Sequence, residues 1–174
     1  MSALTFASFP ELDGKRVPCV GGISGDAFDE LDGVTYLIEA EPGGEGRAFE
    51  IRYNEHCSPF QEAMRIGDVL AVGHEGHFYL FDSVAMRNLL TLPIEGYFGH
   101  LYLDRGLLYV AGCFDLHCVD PSGRIVWRSE WLGIDGVMVE VFEEHQIKGV
   151  GEFDPPGGWR PFSLDRLTGR KVDA

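Results

Sequence analysis

Basic residues are scarce in this chain: 14 Lys and Arg stand against 28 Asp and Glu, for a formal net charge of -14. A surface of that sign repels phosphate backbones, so no nucleic-acid partner is expected. Long apolar runs are missing too, and none approaches the roughly 18 residues of a membrane helix. The first residues, MSALTFASFPELDGKR, carry no basic leader ahead of an apolar core, so no secretory signal is expected. The four cysteines (Cys19, Cys57, Cys113 and Cys118) are scattered without a C-x-x-C pair, which suits free thiols in a reducing cytoplasm. Catalytic signatures are equally absent: there is no G-x-S-x-G elbow, no H-E-x-x-H and no phosphate-cradling loop. The Gly-rich GGISGD at 21–26 lacks the lysine of a P-loop. Asp26, Asp29, Glu30 and Asp32 crowd together without the alternating oxygen ligands and central glycine of a calcium loop. The chain therefore reads as a non-enzyme that needs no cofactor.

What is present is a soluble globule's composition, 45 % hydrophobic and 24 % charged, in 174 residues that make one domain the default. Apolar β-formers broken by Asp, Pro and Gly dominate, and from residue 58 they repeat. VLAVG at 69–73, LYVAG at 108–112 and IKGVG at 147–151 begin 39 residues apart. Each precedes a strand ending in an aspartate (Asp82, Asp120, Asp165), then a turn and a further strand (87–92, 124–128, 170–172). A period near 40 with about four strands per unit is the signature of propeller blades. The middle copy predicts strands at 97–103, 107–112, 115–120 and 124–128.

The fold expected is all-β, a small propeller-like array of about four antiparallel blades. Regular blades fall at 58–92, 97–129 and 137–172, and an irregular N-terminal one at 17–57. In the last, VTYLIEAE and RAFEIRYN form a hairpin about Pro42–Gly46, and its fourth strand looks short or missing. Ser24 is read as the cap of a short helical turn at Asp26–Leu31, and 54–67 suits strand or helix. Leu4–Phe9 is a spare strand available to cover an exposed edge.

LHCVDPSGRIVW resembles the repeat of quinoprotein-type β-propellers, whose blades carry Tyr-x-x-Leu-Asp-x-x-Thr-Gly followed shortly by Trp. Asp120, Gly123 and Trp127 match that run; Asp165, Thr168 and Gly169 match it without the Trp, and Asp82 alone is kept in the first copy. The resemblance implies a tight Asp/Gly turn and a Trp packed between neighbouring blades. It concerns about 100 residues of blade architecture only, and the quinone ligands of such enzymes have no counterpart here.

Two groups of residues bear on function. His74, Cys113 and Glu152 follow the three repeat glycines and would occupy equivalent places; with His77 near by, His74, His77 and Cys113 are weak metal candidates, set against solvated turn residues. The stronger clue is an insertion. From repeat glycine to turn aspartate the copies count 9, 8 and 14 residues, so the last carries extra length within EFDPPGGWRP. By strand parity that loop shares a face with His74, Glu75, Asp115, Glu95, Glu130, Trp131, Asp135, Glu152, Asp154 and Trp159. Tryptophans amid carboxylates suit a protein-binding surface for a basic partner, unless both merely pack under their loops. The protein-binding residues predicted are Glu95, Glu130, Trp131, Asp135, Glu152, Asp154 and Trp159. A bacterial immunity protein that neutralises a basic toxin, such as a nuclease, is the expectation. The alternatives are a small-ligand or metal-binding enzyme or sensor using the ring centre, or a scaffold fragment whose edges another chain covers.

Overall fold

The computed structural model describes residues 3–25, 31, 33–40, 46–53 and 60–172. The helical turn expected at Asp26–Leu31 falls outside them except for Leu31. So do the acidic cluster around it and all of the Pro42–Gly46 turn except Gly46. The protein is all-β, with seventeen strands in several small sheets and no helix among the described residues. None of them forms a helix long and apolar enough to cross a membrane.

The first sheet holds β1 (Ala3–Ala7), β5 (Gly33–Ala40), β6 (Arg47–Tyr53) and β4 (Cys19–Gly22), in that order. Two-residue strands β2 (Glu11–Leu12) and β3 (Lys15–Arg16) pair between β1 and β4 in sequence. The second sheet is a meander of β7 (Gln61–Ile66), β8 (Val69–His74), β9 (His77–Asp82) and β10 (Arg87–Pro93). The third repeats that plan with β11 (Phe98–Asp104), β12 (Leu107–Gly112), β13 (Leu116–Val119) and β14 (Ile125–Arg128). The fourth holds β15 (Val137–Phe142), β16 (Gln146–Glu152) and β17 (Trp159–Asp165). Two compact units divide the chain, residues 1–56, 63–72 and 79–91 and residues 57–62, 73–78 and 92–174.

Second strands such as β8 and β12 are apolar almost throughout and buried along nearly their whole length, as expected of strands covered on both faces. In the first unit Leu37, Phe49 and Ile51 pack with Leu70, Val72, Tyr79 and Phe81. Glu39, 3 % exposed, is held there by Arg47 and Arg65, which offsets the cost of burying its charge. In the second unit Tyr109, Leu116, Cys118 and Trp127 of the third sheet pack with Val137, Val139, Ile147 and Leu164 of the fourth.

Two edges differ from expectation. The strand expected at Leu4–Phe9 is β1, and it pairs with β5 in the first sheet. The strand that looked missing there is replaced by β4, which comes from upstream and lies parallel to β6; a segment returning from the N-terminal side cannot enter as the next step of a meander. In the fourth sheet the strand expected at 170–172 shrinks to a single bridge, Leu164 to Lys171.

The turn after the aspartates is built as the repeat implied. Asp82 accepts the amides of Val84 and Ala85, and Asp165 accepts the amide and hydroxyl of Thr168. Asp120 accepts from Ser122 and Arg124, and those bonds hold its carboxyl down at about 2. Gly123 and Gly169 take the left-handed conformation this turn needs, at φ 92° and 68°; the first copy forces Met86 into it at φ 53°. Trp127, 8 % exposed, lies over Gly169 and donates its indole N–H to Arg166 O at 3.1 Å. A Cβ on Gly169 would stand 2.4 Å from Trp127 Cε3.

Met86→Gly should therefore raise stability by about 0.5–1 kcal/mol, because relief of left-handed strain exceeds the added chain entropy. Gly169→Ala should lower it by about 2–4 kcal/mol, through strain plus overpacking against the indole. Urea midpoints of the two variants check both signs; an unchanged midpoint for Gly169→Ala would overturn both the strain and the overpacking.

Candidate functional site

The segment joining the third sheet to the fourth, residues 132–136, is clamped by backbone bonds on both sides. Leu132 N donates to Phe114 O and Gly136 N to Cys113 O, while Ile134 N donates to Glu152 O and Glu152 N to Gly136 O. This places Asp135 and Gly136 beside the end of β16. The inserted loop closes on itself: Phe153 N donates to Gly158 O, Gly157 N to Phe153 O, and the Arg160 guanidinium lies 4.6 Å from the Phe153 ring centroid. Its stem delivers Trp159 opposite Glu152 in the β16–β17 register.

A cleft of about 290 Å³ lies at this junction, with Tyr97, Asp135, Met138, Glu152 and Trp159 among its lining residues. Phe60 and His100 complete it. Tyr97 donates to Asp135 O at 2.6 Å, with Asp135 Oδ1 at 3.2 Å. Burial, then the neighbouring Cys113 and Asp135, push the Tyr97 hydroxyl far above its ordinary range, so it stays a proton donor. Phe60 stacks near Tyr97 with ring centroids 6.1 Å apart and planes at 24°. His100 is fixed by Glu62, whose carboxylate takes its Nδ1 at 2.8 Å and the Leu101 amide at 2.8 Å. Burial raises the Glu62 carboxyl, but those two bonds outweigh it and leave the group lowered.

Of the seven residues predicted to bind protein, the cleft brings together Asp135, Glu152 and Trp159. Asp154 is exposed on the adjoining loop. Trp131, 54 % exposed, stacks on Phe114 at 4.8 Å, and its carbonyl, like the Glu130 carboxylate, faces Lys171 Nζ. Glu95 takes part in a separate cluster: Arg128 bridges Glu95 and the buried Asp115, which lies 3.4 Å from His117 Nδ1. Asp115, His74 and Glu75, expected on the exposed face, are buried instead, at 1 %, 5 % and 6 %. The turns that carry them fold inward under the connecting segments, as when Phe98 N and Ile94 N bond Glu75 O and Gly76 O.

Cys113 is buried, and desolvation together with Asp135 pushes its thiol up to about 11, so it is no thiolate at neutral pH. Among the described residues no group of three or more His, Cys, Asp or Glu side chains could hold a metal ion. Sequence reasoning missed Tyr97, Phe60 and His100. Tyr97 and His100 sit in the lead-in GYFGHLYLD, where an aromatic right after the linker glycine was a usable signal. Comparison with protein-family models finds no match for the chain, and comparison with curated proteins finds none either.

The buried cluster predicts a pH response. Desolvation lowers the His117 imidazole from its ordinary 6.5, with Arg128 adding to the effect and Asp115 opposing it. The unfolded chain therefore binds this proton first. The stability owed to neutral His117 is complete above pH 6.5 and drains away as pH falls from there toward the folded value. Urea unfolding between pH 7 and 5 should show this decline, and a shallower one in His117→Gln; equal slopes would remove His117 as the cause.

Proposed function

We propose that this protein is a non-catalytic binding module that holds a basic protein partner, acting as an immunity protein against a cationic toxin such as a nuclease. The observation that carries the reading is the meeting of Asp135, Glu152 and Trp159 in one cleft, with Asp154 exposed beside it. A half-exposed tryptophan ringed by carboxylates is the composition of an interface anchor for a positively charged surface. The acidic excess of the whole chain would speed encounter with such a partner.

The same proposal takes the four sheets as blades of a small propeller-like array in one domain. The 39-residue repeat and the shared meander order of the second and third sheets support it. Scattered free cysteines favour a cytoplasmic site of action.

The test is retention of native-host proteins on the immobilised chain at low and high salt, beside a variant carrying Asp135→Asn, Glu152→Gln and Asp154→Asn. A basic protein held at low salt, released at high salt and poorly held by the variant is the expected result. Retention of none, or of one indifferent to both salt and variant, would overturn the reading.

A further inference from the structure

The cleft is narrower in purpose than a generic acidic face. At about 290 Å³ it lies at or below the lower bound of pockets that enclose drug-sized ligands, a size suited to one long side chain. Its floor is Gly136. A Cβ there would sit 3.5 Å from Trp159 Cη2, 3.7 Å from Tyr97 Oη and 3.8 Å from Glu152 Oε2. An indole, a phenol and a carboxylate thus converge on the space that the missing side chain leaves open. With φ at 145°, the position also favours glycine.

The chemistry of that space has one sign. Trp159 and Tyr97 offer π systems, which attract cations over their faces. Asp135 and Glu152 offer carboxylates, and no ion pair among the described residues joins either of them to a Lys or Arg. Arg160, which follows Trp159 in β17, lies on the Phe153 ring. His100 keeps its Nδ1 on Glu62. An anion would meet two carboxylates with no counter-charge, and a neutral apolar group would desolvate them without return.

We infer that the cleft formed by Tyr97, Trp159, Asp135 and Glu152 is a socket for a single arginine side chain, presented by the basic partner. A planar guanidinium can lie on an aromatic face while its N–H fork reaches carboxylates in its own plane, which an ammonium cannot do as well. The inference depends on the proposed function only for the source of that arginine.

The probe is acetyl-arginine amide, titrated into the intact chain by NMR, with the citrulline and lysine analogues as controls. Citrulline keeps the shape and loses the charge. The arginine probe should give saturable shifts at Tyr97, Gly136 and Trp159, the lysine probe weaker ones, and citrulline none that saturate. Trp159→Ala and Glu152→Gln should each weaken binding by about threefold or more, while Phe9→Ala, at an exposed aromatic that does not line the cleft, should leave it unchanged. Equal response to citrulline, indifference to both cleft variants, or no saturable shift with arginine would each overturn the socket. If a basic partner is retained as proposed, yet Trp159→Ala and Glu152→Gln hold it as well as the parent chain, the socket fails while the wider face stands. If the arginine probe binds and no basic partner is found, the reverse is true.

Discussion

Close approach at the repeat glycines is the constraint on which the rest depends. Gly73, Gly112 and Gly151 recur every 39 residues at the end of a second strand. Each is a place where no side chain fits: a Cβ would stand 2.0 Å from the Phe98 ring, 2.5 Å from Ile94 Cγ2 and 1.9 Å from Leu132 O respectively. At Gly112 and Gly151 the space is filled by the connection leading into the glycine's own sheet, and at Gly73 by the first strand of the following sheet. The glycines thus let each connection lie flat across the preceding or following strands, where its amides find the carbonyls of Glu75, Gly76, Cys113, Phe114 and Glu152. Backbone groups that would otherwise be buried without partners are satisfied in this way. A larger residue at any of the three would lift the connection and leave those amides unpaired.

The candidate site is a by-product of that packing. Because residues 132–136 are pinned between Cys113–Phe114 and Glu152, Asp135 and Gly136 cannot drift from Glu152. Tyr97 comes from the preceding connection and reaches across to Asp135 O, so two successive connections are tied through one phenol. Glu62 does a similar service for His100 and the Leu101 amide. Only Trp159 comes from a feature outside the repeat, the longer loop before β17. Its position on a strand stem, with the loop closed by its own backbone bonds and by Arg160 on Phe153, places the indole against a fixed wall. Rigid support of this kind lowers the ordering cost of binding at the aromatic anchor.

Much of the strand pattern was legible because its signals are local. In the middle copy the strands expected at 97–103, 107–112, 115–120 and 124–128 are found at 98–104, 107–112, 116–119 and 125–128. The Asp-Gly turns were legible for the same reason, since one carboxylate and one left-handed residue define them. In the first sheet the antiparallel β5–β6 pair was legible, but its far edge was not, because β4 joins β6 in parallel from a distant part of the chain and no turn motif marks that pairing. The site divides along the same line. Glu152 and Trp159 were found because an insertion breaks a counted period, and Asp135 because strand parity puts its connection on the same face. Tyr97 and His100 were passed over because they look like ordinary members of a first strand. Burial was the hardest property to read. Asp115 follows a repeat glycine within a polar turn, yet Arg128 pairs with it and makes its burial affordable.

That pairing points to how the charge of the molecule is distributed. Among the described residues, Arg47, Arg52, Arg65, Arg124, Arg128, Lys148, Arg166 and Lys171 lie within ion-pair distance of a described carboxylate. Several neutralise acids that the fold has buried or half-buried, such as Glu39 and Asp115. Cations are thus committed to structure, and the acidic excess remains for carboxylates that the fold does not need to neutralise. Asp135, which is exposed, and Glu152, which is half-buried, belong to that second class. Carboxylates this accessible are screened by salt like others at the surface, so what separates the cleft from the general acidity of the chain is the aromatic wall beside the charges, and its electrostatic attraction should fall as ionic strength rises.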